Sequence, residues 1–193
     1  KEKRGVETSL DVRKRIELSS WIDSLDRVSK PVVVAIHGYC MGGGLEFALA
    51  ADIRVAAPDA ILALPETGLG LIPGGGGTQR LSRVVSPGHA VDMLLTGDRM
   101  DAAKALSIGL VSRVSLSSDS LLDEVSALAH KIAAKPPMAS AFVKRAGRAS
   151  LEMELGAGLR LEGDLFCLLA TTKDAKEAAL AFSERREPVF TGE

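Results

Sequence analysis

The chain has 193 residues, of which 46% are hydrophobic, and this is enough for one sizeable core or for a core with a helical appendage. Its formal net charge of -1 provides no overall positive field, so nucleic acid or an anionic membrane would have to bind at a local patch. The two cysteines, Cys40 and Cys167, have neither zinc-ligand nor disulfide-framework spacing, which indicates a reducing compartment and no metal site. No apolar run reaches the roughly 20 residues that span a bilayer, and no targeting segment is visible.

Alternating helix and strand signals predict an α/β core in residues 1–114. Residues 8–29 have apolar side chains at three- and four-residue steps, which predict a helix that begins near Ser9. Residues 31–36, PVVVAI, predict a buried strand because they are dense in β-branched side chains. The remaining predictions here are a glycine turn at Gly38 and residues 42–44, strands at 53–57, 60–64 and 110–114, a tight reversal at Pro58 and Asp59, and helices at 45–51, 78–85 (capped by Thr78), 87–95 and 101–107.

The sequence changes character near residues 115–118. Beyond them, four helical stretches follow one another with little strand signal between them, at residues 119–134, 137–149, 152–170 and 174–184. We therefore predict two domains, an α/β core at residues 1–114 and a helical module at residues 119–193.

The most informative stretch is residues 37–66, where a glycine turn leads into a helix. Backbone amides at such a turn can converge on an oxyanion, because glycine has no side chain to block the approach and the first helical amides lack partners. Phosphate-binding glycine motifs for nucleotides are absent. Two simpler explanations remain open: the glycines allow close packing of helix on strand, and the helix dipole favours Glu46 in the first turn without any function.

Glu66 is the second acid of this stretch, and it stands among leucines, Pro65 and Ile72. An unpaired carboxylate in such surroundings is expected to have a raised pKa, so that it can act as a general acid near neutral pH. The alternative is a salt bridge to Arg80 or another nearby base. Two carboxylates and an anion site brought together could activate water, deliver a proton and hold a developing enolate.

Three segments resemble the enoyl-CoA hydratase/isomerase, or crotonase, superfamily: HGYCMGGGLEFALAADIRVAA, LPETGLGLIPGGGGTQRL and LLTGDRMDAAKALSIGLV. The resemblance covers nearly the whole chain, and with the ending AFSERREPVFTGE it is greatest to the AU-binding methylglutaconyl-CoA hydratase branch. It implies an α/β spiral of strand-strand-helix repeats with a C-terminal helical module. It also implies that Gly43 supplies one oxyanion-hole amide for a thioester carbonyl, and that Glu46 and Glu66 handle the water and the proton at the α-carbon.

Because both glutamates are present, the resemblance favours hydration of a 2-enoyl-CoA in fatty-acid or branched-chain amino-acid catabolism. Coenzyme A would be part of the substrate, and no separate cofactor is expected. The family's Ala-x-Ala-Gly-x-Asp loop, which donates the second oxyanion amide, has no counterpart in the chain, so the sequence resembles a member cut just downstream of that loop. One such amide is worth about 3 kcal/mol in the barrier, and we expect this polypeptide by itself to be impaired.

Other expectations follow from the same resemblance. Arg185 and Arg186 are candidates for contacts with coenzyme A. The helical module is expected to form homotrimers or homohexamers, in a mitochondrial or cytoplasmic compartment. Two alternatives remain: a different acyl-CoA reaction such as double-bond isomerisation, and a non-catalytic RNA-binding relative. RNA would require a local basic face, for which the sequence offers Lys144, Arg145 and Arg148.

Overall fold

The structure is a computed structural model that describes residues 8–18 and 22–193, with side chains for residues 8–14 and from Ile22 onward. These residues fall into two compact units. One contains the described residues up to Val28 together with Val34–Leu121, and the other contains Ser29–Val33 together with Leu122–Glu193. The chain thus passes from the first unit to the second after Leu121. The assignment of the second unit as an oligomerisation module stays a prediction.

Helices and strands are interspersed as far as residue 114, and the elements after it are all helices. The α-helices of the described residues are α1 (Ser9–Leu18), α2 (Gly43–Ala50), α3 (Gly77–Val84), α4 (Pro87–Thr96), α5 (Ala102–Ser107), α6 (Leu121–Ala133), α7 (Pro137–Ala149), α8 (Leu155–Ala170) and α9 (Lys173–Glu184). The strands are β1 (Val33–Ile36), β2 (Tyr39–Met41), β3 (Ile53–Ala56), β4 (Ile61–Ala63), β5 (Met100–Asp101) and β6 (Arg113–Val114). Short 3-10 helices span Ile22–Arg27 and Glu66–Leu69.

Two three-stranded sheets organise the first unit. One has the order β1-β3-β6 and the other β2-β4-β5. Strand β2 runs parallel to β4, with Cys40 opposite Leu62, whereas β5 runs antiparallel to β4. Helices α2 and α3 pack against each other, and the fully buried side chains Leu45 and Leu81 lie in the apolar core that they share with the sheets. This packing sets the end of β2, the start of α2 and the start of α3 in one region.

Most of the predicted helices have the expected bounds, and the local capping signals explain why. Glu154 accepts hydrogen bonds from the amides of Gly156 and Ala157 at the start of α8, and Thr172 accepts one from Ala175 at the start of α9. Helix α1 begins at Ser9 as predicted, and Thr8, just before it, caps the helix by exchanging hydrogen bonds with Asp11. The single helix predicted over residues 8–29 is α1 followed by the separate 3-10 helix, while residues 19–21 lie outside the described part of the chain.

Other predictions were wrong, and each error concerns tertiary pairing or a special turn. Strands β2 and β5 were missed, since three- and two-residue strands carry too few side chains to show a period. A turn does follow β3, with the Ala60 amide bonded to the Ala57 carbonyl, but β3 and β4 join different sheets. Thr78 does not cap α3. The helix begins one residue earlier, after Gly76, which has the left-handed φ of 99°.

A buried arginine ties the segments behind α2 together. Arg54 on β3 is 7% exposed, and its Nε donates to the carbonyl of Leu110 at 2.7 Å while Nη1 donates to the carbonyl of Ala51 at 3.0 Å. These bonds join the end of α2, strand β3 and the chain that enters β6. Since few charged groups are buried unless they are hydrogen-bonded, the arginine is a structural element of the core.

We expect Arg54→Leu to lower the free energy of unfolding by about 3 kcal/mol, because two buried carbonyls lose their donors. Urea unfolding followed by circular dichroism would measure the change. Arg113→Leu is the matched control: Arg113 is exposed on β6, and its replacement should change stability by less than about 0.5 kcal/mol. Equal stability of the Arg54→Leu and Arg113→Leu proteins would contradict the structural role.

Candidate active site

The site begins where β2 ends and α2 starts. The amide of Gly42 donates to the carbonyl of Ala63 at the end of β4 (3.0 Å), and its own carbonyl accepts the first helical bond, from Glu46. Gly42 has φ 54° and ψ -127°, a conformation that glycine adopts at little cost. The turn therefore fixes the N-terminal end of α2 against β4, with Gly43 as the first helical residue.

Gly43 and Gly44 face open space. A Cβ atom added at either position would meet nothing within 4 Å, so close packing of helix on strand does not explain why these two residues are glycine. Amides in the first turn of an α-helix have no acceptor within the helix, and the helix dipole favours negative charge at this end. A ligand oxygen could therefore approach the Gly43 amide without obstruction from the described residues. Its role as an oxyanion donor stays a prediction.

Glu46 lies one turn into α2 and is 5% exposed. Its Oε1 accepts hydrogen bonds from the backbone amides of Gly75, at 2.7 Å, and Gly77, at 2.8 Å. Two amide donors on one carboxylate oxygen hold the side chain in a single orientation. The simple explanation, a carboxylate placed at a helix start by the dipole alone, does not account for this pair of tertiary bonds.

Within the glycine run 74–77, Gly75 and Gly77 form the receptor for the Glu46 carboxylate, a role that the sequence pattern did not indicate. A Cβ atom at Gly75 would lie 2.8 Å from Glu46 Oε2, and one at Gly77 would lie 3.0 Å from Glu46 Oε1 and 2.7 Å from Cβ of Pro73. Side chains at these positions would displace the carboxylate. Four successive glycines, three in a turn and the fourth opening α3, were the available signal, since such runs mark close approach of another group to the backbone.

The predicted alternative partner of Glu66, Arg80, is engaged elsewhere. Its Nη2 donates to Asp23 at 2.8 Å and to Asp26 at 2.7 Å, and Nη1 donates to the carbonyl of Gly75 at 2.8 Å. Burial lowers the pKa of Arg80, but the hydrogen bonds and charges of the two aspartates outweigh this effect and raise the pKa above its usual value. The alternative prediction of a Glu66–Arg80 salt bridge is therefore wrong, because two carboxylates on the 3-10 helix Ile22–Arg27 bind the guanidinium.

Glu66 opens the 3-10 helix Glu66–Leu69 and points towards the turn before α2. Its Oε2 is buried and has no hydrogen-bond partner among the described residues, and its Oε1 lies 3.0 Å from the position that a Cβ at Gly42 would occupy. Burial raises the pKa of Glu66, a hydrogen bond from its own backbone amide opposes this, and the negative charge of Glu46 adds to the rise. The two acids thus differ: Glu46 is held by two tertiary amide donors, whereas one oxygen of Glu66 is buried and unpartnered.

The other predicted contacts lie in the helical unit. Arg186 forms a two-pronged ion pair with Glu177, at 2.6 and 2.9 Å, and a further bond with Glu184 at 2.6 Å. The hydrogen bonds from Arg186 and from the Val189 amide lower the pKa of Glu177 to about 2. The anionic coenzyme A part of a substrate would have to compete with both carboxylates for Arg186, whereas no such ion pair holds the exposed Arg185, the left-handed C-cap of α9, in the described contacts. Contacts of either arginine with coenzyme A stay a prediction.

The basic face predicted on α7 is only partly exposed, and the thiol of Cys40 is poorly suited to act as a nucleophile. Of the three basic side chains on α7, Arg145 alone is exposed, and Lys144 donates to the carbonyl of Lys30 at 2.9 Å. Burial raises the pKa of Cys40 to about 11, which opposes formation of a nucleophilic thiolate.

Within residues 8–18 and 22–193, His, Cys, Asp and Glu form no group of three or more that could hold a metal ion. No helix in the described part of the chain is long and apolar enough to cross a membrane.

Comparison with known proteins identifies the family of the chain. The family model for enoyl-CoA hydratase/isomerase matches residues 4–193, and the chain belongs to this family. It is 42% identical over 173 residues to the mitochondrial enoyl-CoA hydratase of Pongo abelii, an alignment that covers 90% of the chain and 59% of the relative. It is 40% identical over 166 residues to the crotonyl-CoA hydratase of Syntrophomonas wolfei, covering 86% of the chain and 64% of the relative.

A solved structure has the same fold. The crystal structure of enoyl-CoA hydratase from Bacillus anthracis superposes with a TM-score of 0.92 at 36% identity, covering 97% of the chain and 73% of that structure. The predicted crotonase-type α/β fold is thereby confirmed. The chain spans about three fifths of the length of the two curated relatives. The assignment to the methylglutaconyl-CoA hydratase branch stays a prediction.

Proposed function

We propose that the full-length protein adds water across the C2–C3 double bond of a 2-enoyl-CoA thioester. The observation that carries the proposal is the pair of carboxylates with opposite surroundings beside the glycine turn of α2. Glu46 is fixed by the Gly75 and Gly77 amides, while Glu66 is half-buried, with its Oε2 buried and unpartnered and its pKa raised. The names of the two relatives, an enoyl-CoA hydratase and a crotonyl-CoA hydratase, support the same reaction class.

In the proposed reaction, the thioester oxygen accepts a hydrogen bond from the Gly43 amide, which polarises the enoyl system. Glu46 removes a proton from water as the water oxygen bonds to C3, and the electron pair of the C2–C3 double bond moves into the enolate. Protonated Glu66 then delivers its proton to C2 and regenerates the carbonyl. The product is the 3-hydroxyacyl-CoA, and proton exchange with solvent restores both carboxyl groups.

Each carboxylate is suited to its part by its surroundings. A base must present an oxygen to water in a fixed direction, and two amides orient the Glu46 carboxylate. An acid must carry a proton, and burial, together with the charge of Glu46, raises the pKa of Glu66 and so favours its protonated form. Isomerisation of a double bond requires only one group to move a proton. It would therefore give Glu46, the carboxylate held by two amides, no role in the reaction.

Substrate length, assembly and compartment are further proposals. A short 2-enoyl-CoA is the first substrate to test, since one relative is named for crotonyl-CoA. Coenzyme A belongs to the substrate, and a homotrimer or homohexamer formed through the helical unit is the proposed assembly. The compartment remains mitochondrial or cytoplasmic, since one relative is named a mitochondrial enzyme. RNA binding has less support, because two of its three candidate side chains, Lys144 and Arg148, are half-buried.

We expect the full-length protein to convert crotonyl-CoA to a product that is heavier by one water molecule. Mass spectrometry of the thioester, together with loss of the conjugated enoyl absorbance, would measure the reaction. A product of unchanged mass with a displaced double bond, obtained from a 3-enoyl-CoA substrate in the absence of hydration, would favour isomerisation instead. An unchanged thioester with both straight-chain and branched substrates would contradict an acyl-CoA reaction of either kind.

A further inference from the structure

One arginine lies behind the loop that holds Glu46 without contacting either glutamate. Nη1 of Arg80 donates to the carbonyl of Gly75, the residue whose amide donates to Glu46 Oε1. The two bonds measure 2.8 Å and 2.7 Å, so Gly75 is held on one side by the guanidinium and on the other by the carboxylate. The link from Arg80 to Glu46 thus passes through one residue.

The glycine loop is shaped around this guanidinium. Gly76 lies between the two amide donors with φ 99°, and a Cβ atom there would lie 2.0 Å from Nη1 of Arg80. The Arg80 amide also donates to the Gly76 carbonyl at 2.8 Å, in the first turn of α3. A substituted residue at position 76 would therefore be strained and would also push the guanidinium away, so the loop and the arginine are matched to each other.

The guanidinium is anchored from outside the loop by the 3-10 helix Ile22–Arg27. Asp23 and Asp26 bind the same nitrogen, Nη2, which leaves Nη1 directed at Gly75. Buried Ile22 packs on the loop as well, since a Cβ atom at Gly75 would lie 2.7 Å from its Cδ1. A planar guanidinium with several donors in a fixed fork can hold these partners together, whereas a lysine ammonium cannot reproduce the fork.

We propose that Arg80 is a positioning residue for hydration: anchored by Asp23 and Asp26, it fixes Gly75 so that the Gly75 and Gly77 amides hold Glu46 in its reactive orientation. The inference rests on the proposed function of Glu46. Precise placement matters here, because a shift of about 1 Å in a reacting group can cost about 100-fold in rate. A salt bridge that only stabilised the fold would affect activity independently of Glu46.

A double-mutant cycle in the full-length protein tests this. We expect Arg80→Met to lower kcat for crotonyl-CoA by about tenfold, with little change in KM, and Arg80→Lys to recover part of the loss. In a Glu46→Gln background, assayed at higher enzyme concentration, Arg80→Met should cost less than about twofold, because the group that it positions is already gone. Arg83→Met is the control on the same helix, since exposed Arg83 bonds only within α3, to Gln79, in the described contacts.

The outcomes separate the inference from the function on which it rests. The same loss from Arg80→Met in both backgrounds, or no loss in either, would overturn the positioning role while leaving hydration intact. An inactive wild-type protein would instead remove the proposed function. If Arg80→Met does not fold, Asp23→Asn combined with Asp26→Asn loosens the same anchor and keeps the arginine. That variant should slow wild-type hydration about threefold and leave the Glu46→Gln protein unchanged, and equal effects in both would overturn the proposal.

Discussion

Replacing Glu66 with Gln should lower kcat for hydration of crotonyl-CoA by about 1000-fold in the full-length protein. Glutamine has the same shape but cannot hold or release the proton that C2 requires. The carboxyl group is suited to this transfer because Oε2 is buried without a partner and because burial raises its pKa. Steady-state kinetics would measure the loss, which should fall on kcat far more than on KM.

The same substitution should leave stability unchanged or improved at pH 7. The pKa of Glu66 in the folded protein lies above its ordinary value, so ionisation disfavours the native state at pH values above the range in which an exposed carboxyl titrates. Gln removes this cost, and its advantage over the native protein should disappear as the pH falls below that range. Urea midpoints across pH would measure the difference. Glu162→Gln, at an exposed position of α8, is the control and should change neither kcat nor the pH dependence of the urea midpoint.

Two results would contradict the role of Glu66. Wild-type kcat in Glu66→Gln would exclude it as the proton donor. A large loss of activity accompanied by a lower urea midpoint at pH 7 would indicate a structural group and would contradict the pKa argument. Loss of activity with retained stability is the combination expected for a group that costs folding free energy and serves catalysis.

Replacing Gly77 with Ala should lower hydration by about 100-fold and destabilise the protein by about 1–3 kcal/mol. The added Cβ would lie 2.7 Å from Cβ of Pro73, which belongs to a rigid ring, and 3.0 Å from Glu46 Oε1. The carboxylate must then leave its two amide donors. Alanine is a better helix former than glycine, and Gly77 is the first residue of α3. Helix propensity by itself therefore predicts that the substitution would raise stability.

Gly74→Ala is the matched control in the same loop, because a Cβ atom there would meet nothing within 4 Å. We expect its kcat to stay within about twofold of wild type and its urea midpoint to stay near the wild-type value. Equal effects of the Gly74 and Gly77 substitutions would contradict a specific receptor for Glu46 and would indicate that the loop tolerates or rejects side chains as a whole.

Much of the fold could be predicted from local patterns. Helices α6 to α9 were placed within a few residues, since their apolar periodicity and caps lie within each segment. The glycine turn, Glu46 and Glu66 were also found, because they stand out in residues 37–66 against an otherwise alanine-rich background. Their catalytic roles are still predictions, and the kinetic experiments above are their test.

The rest depended on contacts between distant parts of the chain. The amides that hold Glu46 lie 29 and 31 residues away from it, and the aspartates that bind Arg80 lie 57 and 54 residues away from it. No local pattern distinguishes Glu66 from Asp23 or Asp26 as a partner for that arginine, and only the packing of the 3-10 helix Ile22–Arg27 against α2 brings the aspartates within reach. The sequence by itself determined which groups could do chemistry. Tertiary structure decided that Glu46 is held by distant amides and that one oxygen of Glu66 is buried without a partner, because hydrogen bonding and burial depend on neighbours that only folding brings together.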